Sequence, residues 1–268
     1  MPSRKEPMQW GTETKVFFSV SGKPGNFGAS VYNFLFKELD INAVYLPRKV
    51  LDAAKLIESI RTLGINGCSV SMPLKGQVVE HLDELEDLAQ ATQSVNTILN
   101  EDGKLIGHNT DCYGAQQVLE RLKPKSVLVY GAGSVTASVL TALRNTGCTD
   151  IAITGRTISK AEALAKQFGA KVDDGSSNFE LLINTTPASK DPENKELFGL
   201  LDRVEGLFDL PVSPTDVALV AQARQRDMIL SPGFEMSKFQ LQKQFSIYTG
   251  IWPEIEMLNK ALELNGFV

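Results

Sequence analysis

The chain has 268 residues, enough for two domains, and its 27 basic and 32 acidic side chains give a formal charge of −5, which offers no general attraction to nucleic acid or to anionic membranes. Three scattered cysteines and two histidines show no zinc-site spacing, and neither a leader-like segment nor a run of about 18 apolar residues is present. We therefore expect no metal, no export and no membrane span, but a reducing, cytoplasmic location.

Strand and helix patterns alternate through the first hundred residues. The apolar spacing predicts strands at 15–21, 42–46 and 67–71 and helices at 30–39 and 51–63. The acidic stretch 80–90 is typical of a helix that faces solvent. An Asp102-Gly103 turn between residues 95–99 and 104–106 predicts a hairpin. These signals indicate an α/β sheet in the first part of the chain.

Two segments in this region carry polar groups that a scaffold does not need. One strand ends at a proline and presents Ser71 and Lys75 beyond its carboxyl end, where ligands bind in open α/β sheets. The hairpin exit places Asn109 and Asp111 just before a predicted helix at 113–122. If the two loops meet, Lys75 and Asp111 form an ionic pair suited to moving a proton to and from a substrate hydroxyl. Spacing alone leaves two alternatives open, a surface lysine and an aspartate that caps the helix.

A glycine-rich turn follows the strand-like run 127–130. Gly131 permits a tight turn, and Gly133 lets backbone N–H groups approach a pyrophosphate at the start of the next helix, where Ser134 and Val135 lie. A helix-like segment at 137–145 and a second strand at 150–154 complete a βαβ unit. The pattern predicts a dinucleotide site, although threonine stands at its third position and an ordinary strand-to-helix turn is the alternative.

The end of the second strand indicates which nucleotide binds. An NAD site usually has a carboxylate there, whereas this chain has Arg156, Thr157 and Lys160. Arg156 can bind a 2′-phosphate through two hydrogen bonds, and the other two side chains can support it. We therefore expect NADP as the cofactor. The alternative is that Arg156 and Lys160 are solvated charges at a helix start.

The order of these segments resembles the shikimate dehydrogenase family over almost the whole chain. The segments that carry the resemblance are 69–75, 94–97, 107–111, 131–133, 155–161, 183–187 and 240–250. By that resemblance Lys75 and Asp111 match the catalytic pair, and Asn96, Asn109 and Gln240 match residues that bind the hydroxyls of the substrate ring. A further set matches segments that line the nicotinamide pocket: Thr185, Thr186, Asp209 and Gly233.

The resemblance also implies a two-domain α/β fold. Residues 1–110 are expected to form the substrate-binding and catalytic domain, and residues 111–235 a Rossmann-type NADP-binding domain. The segment 236–268 contains two helix patterns broken near 250–253, and it is expected to pack back on the first domain.

The sequence departs from the family in the loop that holds the substrate carboxylate. Where the family has two serines, this chain has Asn26 and Gly28, with Phe27 between them. A glycine offers no side-chain donor, so carboxylate binding is expected to rest on Asn26, backbone N–H groups, Lys23 or a displaced Ser30. Shikimate itself is therefore expected to be a poor substrate. Three further departures are Gly155 where the family usually has asparagine, Tyr248 for a usual tryptophan and Glu235 where glycine is common beside the nicotinamide.

These features predict an NADP-dependent oxidoreductase that interconverts a ring hydroxyl and a ketone in a shikimate-like polyol, acting as a monomer or homodimer without nucleic-acid or membrane partners. A quinate-type enzyme or another ring-polyol dehydrogenase is an alternative. A methylene-tetrahydrofolate-type dehydrogenase is disfavoured because it does not account for Asn96, Asn109, Asp111 and Gln240. An alternative of another class is a catalytically weak protein that binds or senses NADP.

Overall fold

The computed structural model describes residues 10–213 and 215–266. The expectation that the chain carries no leader concerns its first residues, which lie outside these ranges. Within the described residues the strands are β1 (Lys15–Ser21), β2 (Ala43–Lys49), β3 (Gly67–Val70), β4 (Glu84–Leu85), β5 (Thr97–Glu101), β6 (Lys104–His108), β7 (Ser126–Tyr130), β8 (Asp150–Thr154), β9 (Lys171–Val172), β10 (Phe179–Asn184), β11 (Val204–Asp209) and β12 (Ile229–Pro232).

The same ranges contain α-helices and three short 3₁₀ turns. The α-helices are α1 (Phe27–Glu38), α2 (Ala53–Leu63), α3 (Asp87–Thr92), α4 (Thr110–Leu122), α5 (Ser134–Asn145), α6 (Ile158–Phe168), α7 (Lys195–Gly199), α8 (Ala218–Gln225), α9 (Gly233–Thr249) and α10 (Ile255–Leu264). The 3₁₀ turns are Val79–His81, Pro187–Lys190 and Leu200–Arg203. In this part of the chain no helix is both long and apolar enough to cross a bilayer.

The described chain divides into two compact units. Unit 1 contains residues 10–86, 95–108 and 244–266, and unit 2 contains residues 87–94 and 109–243. The units exchange within α9, between residues 243 and 244, whereas the domain boundary expected from the sequence lies between 235 and 236. The last turns of α9 therefore belong with unit 1, where Phe245 packs against Phe36 and Tyr248 packs against Phe17.

The sheet of unit 1 has the strand order β2-β1-β3-β5-β6-β4. The first three strands are parallel, while β5 and β6 form the predicted hairpin and pair antiparallel. Asp102 and Gly103 both have positive φ, at 51° and 94°, as a two-residue hairpin turn requires. The chain places β2 on one side of β1 and then returns to place β3 on the other side. The strand order therefore reverses at β1, and the carboxyl ends of β1 and β3 form a topological switch point.

The sheet of unit 2 is fully parallel, with the order β12-β11-β10-β7-β8-β9. Renumbered from its first strand this is the 3-2-1-4-5-6 order of a Rossmann fold, whose switch point lies between β7 and β10. Alternate residues of β7 belong to two different hydrophobic cores. Val127 and Val129 pack in one core, and Leu128 and Tyr130 pack in the other. Both faces of the sheet are therefore covered, as in a doubly wound domain.

One predicted element is wrong. The acidic stretch 80–90 is not a single helix but a 3₁₀ turn, the short strand β4 and the start of α3. Leu82 and Leu85 pack over Gly107, where a Cβ would lie 2.6 Å from the Leu82 side chain. The carboxylate of Asp83 accepts hydrogen bonds from the Leu105 N–H at 2.7 Å and from Arg61 at 2.8 Å. These contacts with β6 and α2 outweigh the helical pattern of the charges.

Three predicted helices begin earlier than their apolar pattern. Helix α1 starts at 27 rather than 30, α4 at 110 rather than 113, and α5 at 134 rather than 137. Their first turns interrupt the apolar pattern with small or polar residues, so the periodic pattern starts only after one turn. In α4 the cap is the Asn109 side chain, which accepts from the Cys112 N–H at 3.1 Å. The alternative that Asp111 caps this helix is therefore wrong.

Candidate functional site

The switch point of unit 2 is built around Gly131, which has a φ of 119°. A Cβ at this position would collide with the Thr185 hydroxyl and lie 2.6 Å from the Thr186 methyl group. The Gly131 N–H donates to the carbonyl of Thr154 at 2.8 Å, and the Thr185 N–H donates to the carbonyl of Tyr130 at 3.0 Å. The ends of β7, β8 and β10 thus meet at a backbone surface that only glycine leaves open.

Thr136, at the third position of the glycine pattern, fixes this turn. Its hydroxyl accepts from the Gly133 N–H at 3.1 Å and lies 2.8 Å from the Thr185 hydroxyl, which donates to the Tyr130 carbonyl. The N–H of Gly133 is therefore used within the turn. The first-turn N–H groups of α5, which include Ser134 and Val135, are the ones that helix geometry leaves for a phosphate.

The loop after β8 lies directly against this turn. Gly155 has a φ of 152°, and a Cβ there would lie 3.2 Å from the Gly131 nitrogen, which explains glycine at this position. Arg156, Thr157 and Lys160 follow and are all exposed. Thr157 is the N-cap residue of α6, but its hydroxyl makes no capping hydrogen bond. Among the residues that the structure describes, Arg156 and Lys160 form no ion pair, so their charges are not neutralised by a neighbouring carboxylate.

Asn184, which the sequence did not single out, holds the strand end next to Gly131. Its amide nitrogen donates to the Thr186 carbonyl at 2.9 Å and to Asp209 Oδ1 at 2.6 Å. Its oxygen accepts from the N–H and the hydroxyl of Thr186, at 3.0 and 2.8 Å. All four hydrogen-bonding positions of the amide are used, so the conformation of Thr186 is fixed by its neighbours.

Asp209 is fully buried at the end of β11. Burial raises the pKa of its carboxyl to about 6, against the opposing effect of the hydrogen bond from Asn184. Within the described residues its Oδ2 has no hydrogen-bond partner. The structure thus places Asp209 behind Asn184 as a support for the strand end.

Two residues at the start of α9 were predicted to lie near the nicotinamide. Gly233 packs on the backbone after β11: a Cβ there would collide with the Leu210 carbonyl and lie 2.8 Å from the Pro211 carbonyl. Glu235 forms an ion pair with Arg121 and accepts from the Ser231 hydroxyl at 2.5 Å. A carboxylate is tolerated where the family usually has glycine because a guanidinium compensates its charge.

The start of α4 gathers three predicted site residues within unit 2. Asn109 is buried, and its amide nitrogen donates to the hydroxyls of Thr92 and Ser138 at 2.8 and 3.0 Å. Gln240 donates to the hydroxyl of Thr110 at 3.3 Å, next to the half-buried Asp111. Both amide hydrogens of Asn109 are committed, so any contact of this side chain with a substrate must use its oxygen.

In unit 1, Ser71 and Lys75 follow β3 at the switch point. Ser71 is exposed and Lys75 is half-buried. The Gly22 N–H donates to the Met72 carbonyl at 3.0 Å, which joins the loops that follow β1 and β3. The Val95 N–H donates to the Lys75 carbonyl at 2.9 Å, so the Lys75 backbone is held beside the segment that contains Asn96.

The altered carboxylate loop ends at the first turn of α1. Asn26 is exposed, and its side chain makes no capping hydrogen bond. A Cβ on Gly28 would lie 3.4 Å from Cε1 and 3.5 Å from the hydroxyl of Tyr45, which is ordinary contact. The structure thus leaves room for a small side chain at Gly28.

A buried polar network behind this loop was missed by the sequence reasoning. Gln244 accepts from the hydroxyls of Tyr32 and Ser69, both at 2.6 Å, and donates to Thr97. Tyr45 donates to Ser69. Gln244 lies in the matched segment 240–250, but only its proximity to distant strands reveals the contacts. The structure therefore groups the predicted residues into three clusters. Unit 2 contains the cofactor cluster, which is the turn at Gly131, the first turn of α5 and the loop with Arg156, and the α4 cluster, which is Asn109, Asp111 and Gln240. Unit 1 contains the substrate cluster, which is Asn26, Ser71, Lys75 and Asn96.

Comparison with known proteins identifies the family. The sequence profile of the shikimate dehydrogenase substrate binding domain matches residues 27–98, and that of shikimate / quinate 5-dehydrogenase matches residues 114–184. The shikimate dehydrogenase (NADP(+)) of Pyrococcus abyssi is 34% identical over 257 residues, which cover 91% of this chain and 96% of that protein. The chain belongs to the shikimate dehydrogenase family. A shikimate dehydrogenase-like protein of Haemophilus influenzae is 30% identical and covers 93% of this chain and 96% of its own length.

Solved structures of shikimate dehydrogenases share the fold. A shikimate 5-dehydrogenase-like protein matches with a TM-score of 0.87 at 29% identity, over 95% of this chain and 98% of that chain. A shikimate dehydrogenase in complex with NADP+ matches with a TM-score of 0.83 at 29% identity, over 98% and 99% of the two chains. The predicted family and the predicted two-part α/β fold are confirmed. Because the similarity to named dehydrogenases extends over nearly the whole chain, a catalytically weak paralogue is not favoured.

The buried carboxyl of Asp209 predicts a pH-dependent contribution to stability. Its pKa of about 6 lies above the value of about 3.9 in unfolded chains, so the folded protein binds this proton more tightly. The contribution is fully present below about pH 4 and is lost as the pH rises through about 6. Between about pH 4 and pH 7.5 we expect the wild type to lose on the order of 2–3 kcal/mol relative to Asp209→Asn, measured by urea denaturation.

Asp227→Asn is the matched control for this prediction. Asp227 is exposed and has a φ of 53°, which asparagine also adopts readily. Its curve should follow that of the wild type. If the free energy of unfolding of Asp209→Asn ran parallel to that of the wild type over the whole pH range, the role of the buried carboxyl would be contradicted.

Proposed function

We propose that this member of the shikimate dehydrogenase family is an NADP-dependent oxidoreductase that interconverts a ring hydroxyl and a ketone of shikimate or a closely similar ring polyol. The observation that carries the proposal is that each of its two sheets has a topological switch point and that matched residues lie at both. Lys75 follows the strands at the switch point of unit 1, and the glycine turn with Arg156 beside it lies at that of unit 2.

The cofactor cluster fits NADP by its own chemistry. Gly131 leaves a backbone surface that a Cβ would fill, α5 starts beside it, and Arg156 lies on the loop packed against that turn. A guanidinium without a carboxylate neighbour is suited to a 2′-phosphate. Solved relatives support this choice, since one is described in complex with NADP+ and a Thermus thermophilus enzyme in complex with shikimate. We assign the cofactor cluster of unit 2 to NADP, and the substrate cluster of unit 1 together with the α4 cluster of unit 2 to the substrate.

The proposed chemistry requires a proton and a hydride to leave the substrate. When bound, NADP+ accepts the hydride from the ring carbon. Lys75 and Asp111 are proposed to orient the ring hydroxyl and take its proton, and in the reverse direction Lys75 stabilises negative charge on the oxygen. Asn96 and Gln240 are proposed to bind the other ring hydroxyls, together with the oxygen of Asn109.

Several broader expectations accompany this function. Cys68, Cys112 and Cys148 are buried and form no disulfide within the described residues, in keeping with a reducing cytoplasm. The small net negative charge gives no reason to expect nucleic acid as a partner. A monomer or homodimer remains the expected assembly. A quinate-type substrate is the alternative within the same reaction class, in keeping with the matched profile.

The cofactor assignment predicts that Arg156→Ala weakens NADP+ binding selectively. Loss of a charge-assisted hydrogen bond should cost NADP+ about 1.5–3 kcal/mol, while NAD+, which lacks the 2′-phosphate, should bind nearly as before. Fluorescence titration of both cofactors measures the difference. The control is Lys166→Ala, which removes an exposed cation from the last turn of α6, the helix that follows Arg156. This change should alter neither affinity. Equal losses for the two cofactors would rule out the assigned contact.

The catalytic assignment predicts large, non-additive losses of turnover. Lys75→Ala and Asp111→Asn should each lower kcat by roughly 10²–10⁴-fold with NADP+ affinity nearly unchanged, because both act on the same hydroxyl. The double variant should be little worse than the more severe single variant. Lys55→Ala, an exposed lysine of α2, is the control for the charge change. Near-wild-type turnover in either variant would remove that residue from the mechanism.

The carboxylate loop predicts a change in KM. Asn26→Ser combined with Gly28→Ser should lower the KM for shikimate by up to roughly tenfold per recovered hydrogen bond, because anchoring remote from the reacting carbon contributes mainly uniform binding. A Cβ at position 28 would be in ordinary van der Waals contact with Tyr45, so the serine side chain can be accommodated. Gly28→Ala adds the Cβ without the hydroxyl and is the matched control. A wild-type KM already in the low micromolar range, or no response to the serines, contradicts this explanation.

A further inference from the structure

Gln244 is a buried glutamine that the proposed mechanism does not use. Its exposed fraction is 2%. Its oxygen accepts from the hydroxyls of Tyr32 and Ser69, each at 2.6 Å. Its nitrogen donates to the backbone carbonyl of Asn96 at 3.3 Å and to the hydroxyl of Thr97. All four hydrogen-bonding positions of the amide are therefore satisfied within unit 1.

The chemistry of these partners fixes which end of the amide faces which neighbour. The Asn96 carbonyl can only accept, so the nitrogen of Gln244 must face it. The Tyr45 hydroxyl donates to Ser69, and Ser69 donates to the oxygen of Gln244 at 2.6 Å, a shorter contact than the 3.2 Å between the Ser69 and Tyr248 hydroxyls. A flipped amide would set two acceptors against each other in a buried site, which costs free energy.

The hydrogen bonds continue from Gln244 to the side chain of Asn96. The Thr97 hydroxyl accepts from Gln244 and donates to Asn96 Oδ1 at 2.9 Å. Thr97 is fully buried, and Asn96 is 4% exposed. Because the oxygen of the Asn96 carboxamide is turned toward Thr97, its NH₂ group lies on the other side of the Cβ–Cγ bond and is directed away from Thr97.

We propose that Gln244 is a positioning residue that, through Thr97, holds Asn96 as a hydrogen-bond donor to an acceptor oxygen of the substrate. The inference rests on the proposed function, which assigns Asn96 to the substrate. It specifies the recognised group: an oxygen that accepts a hydrogen bond, such as that of a ring hydroxyl. A ring substituent that can only donate is disfavoured at this position.

The backbone hydrogen bonds around Asn96 explain why loss of Gln244 should change the KM for the substrate more than kcat. The Val70 N–H donates to the Asn96 carbonyl at 2.8 Å, and the Val95 N–H donates to the Lys75 carbonyl at 2.9 Å. These bonds hold the backbone beside Lys75 without Gln244. Loss of Gln244 is therefore expected to change the orientation of the Asn96 side chain while the Lys75 loop keeps its register.

The kinetic test compares two substitutions in the full-length protein. Gln244→Leu removes the amide, and Thr97→Val removes only the hydroxyl between Gln244 and Asn96. Each should raise the KM for shikimate by on the order of tenfold, the scale of one misdirected hydrogen bond, with kcat and NADP+ affinity changed by less than about threefold. If Gln244→Leu fails to fold because Tyr32 and Ser69 lose their partner, Thr97→Val carries the test, since it leaves those two bonds intact. Gln225→Leu, at an exposed glutamine of α8, is the control.

The Asn96→Ala background separates positioning from a general structural effect. If Gln244 acts through Asn96, then Gln244→Leu or Thr97→Val added to Asn96→Ala should raise KM by less than about twofold further. An undiminished increase in that background would overturn the inference, as would KM values of both single variants within about twofold of the wild type.

A spectroscopic readout makes the test independent of turnover. The side-chain amide signals of Asn96 in a ¹⁵N–¹H spectrum, identified by their loss in Asn96→Ala, should shift in Gln244→Leu and in Thr97→Val but not in Gln225→Leu. Unchanged signals in both variants would overturn the inference. If the wild type does not oxidise shikimate or another ring polyol, the proposed function fails, and these spectra alone decide whether Gln244 orients Asn96.

Discussion

The missing side chain at Gly131 is the constraint on which the cofactor cluster depends. Three strand ends converge there: β7 at Gly131 itself, β8 at Gly155 and β10 at Thr185 and Thr186. Any Cβ at Gly131 would displace both threonines, and with them the hydroxyl of Thr185 that helps to fix the turn through Thr136. Arg156 depends on the same convergence because Gly155 brings its loop against the Gly131 backbone. One glycine thus connects the turn at the start of α5, the loop that carries Arg156 and the strand end held by Asn184.

The substrate cluster depends on buried hydrogen bonds in place of a glycine turn. The parallel pairing of β1 with β3 sets the loops that carry Asn26 and Lys75 at one edge of the sheet. Behind them, Gln244 uses every hydrogen-bonding position of its amide on groups from three different segments of unit 1. A buried network in which each polar group has a partner is rigid because breaking any bond leaves a desolvated group unpaired.

Local signals predicted most elements but not those set by distant contacts. The strand 15–21, the strand 150–154 and the Asp102-Gly103 hairpin were predicted from alternation and turn chemistry, which are local properties. The acidic stretch 80–90 was wrongly predicted as one helix because Asp83, Leu82 and Leu85 are engaged by β6 and its neighbours, and this pairing leaves no trace in the charge pattern. Three helices were predicted to start about one turn too late, because polar capping residues such as Asn109 are not part of the apolar periodicity used for the prediction.

The sequence by itself determined the family, the α/β class, the glycine turn and the cationic loop at Arg156, because short motifs with strict spacing encode each of them. Tertiary structure alone decided that Asn184 donates to Asp209, that Arg121 compensates the charge of Glu235 and that Gln244 reaches Asn96 through Thr97. These pairs lie far apart in the chain or have no fixed spacing. Hydrogen bonds between buried side chains require burial and orientation together, and only the folded arrangement of strands and helices supplies both.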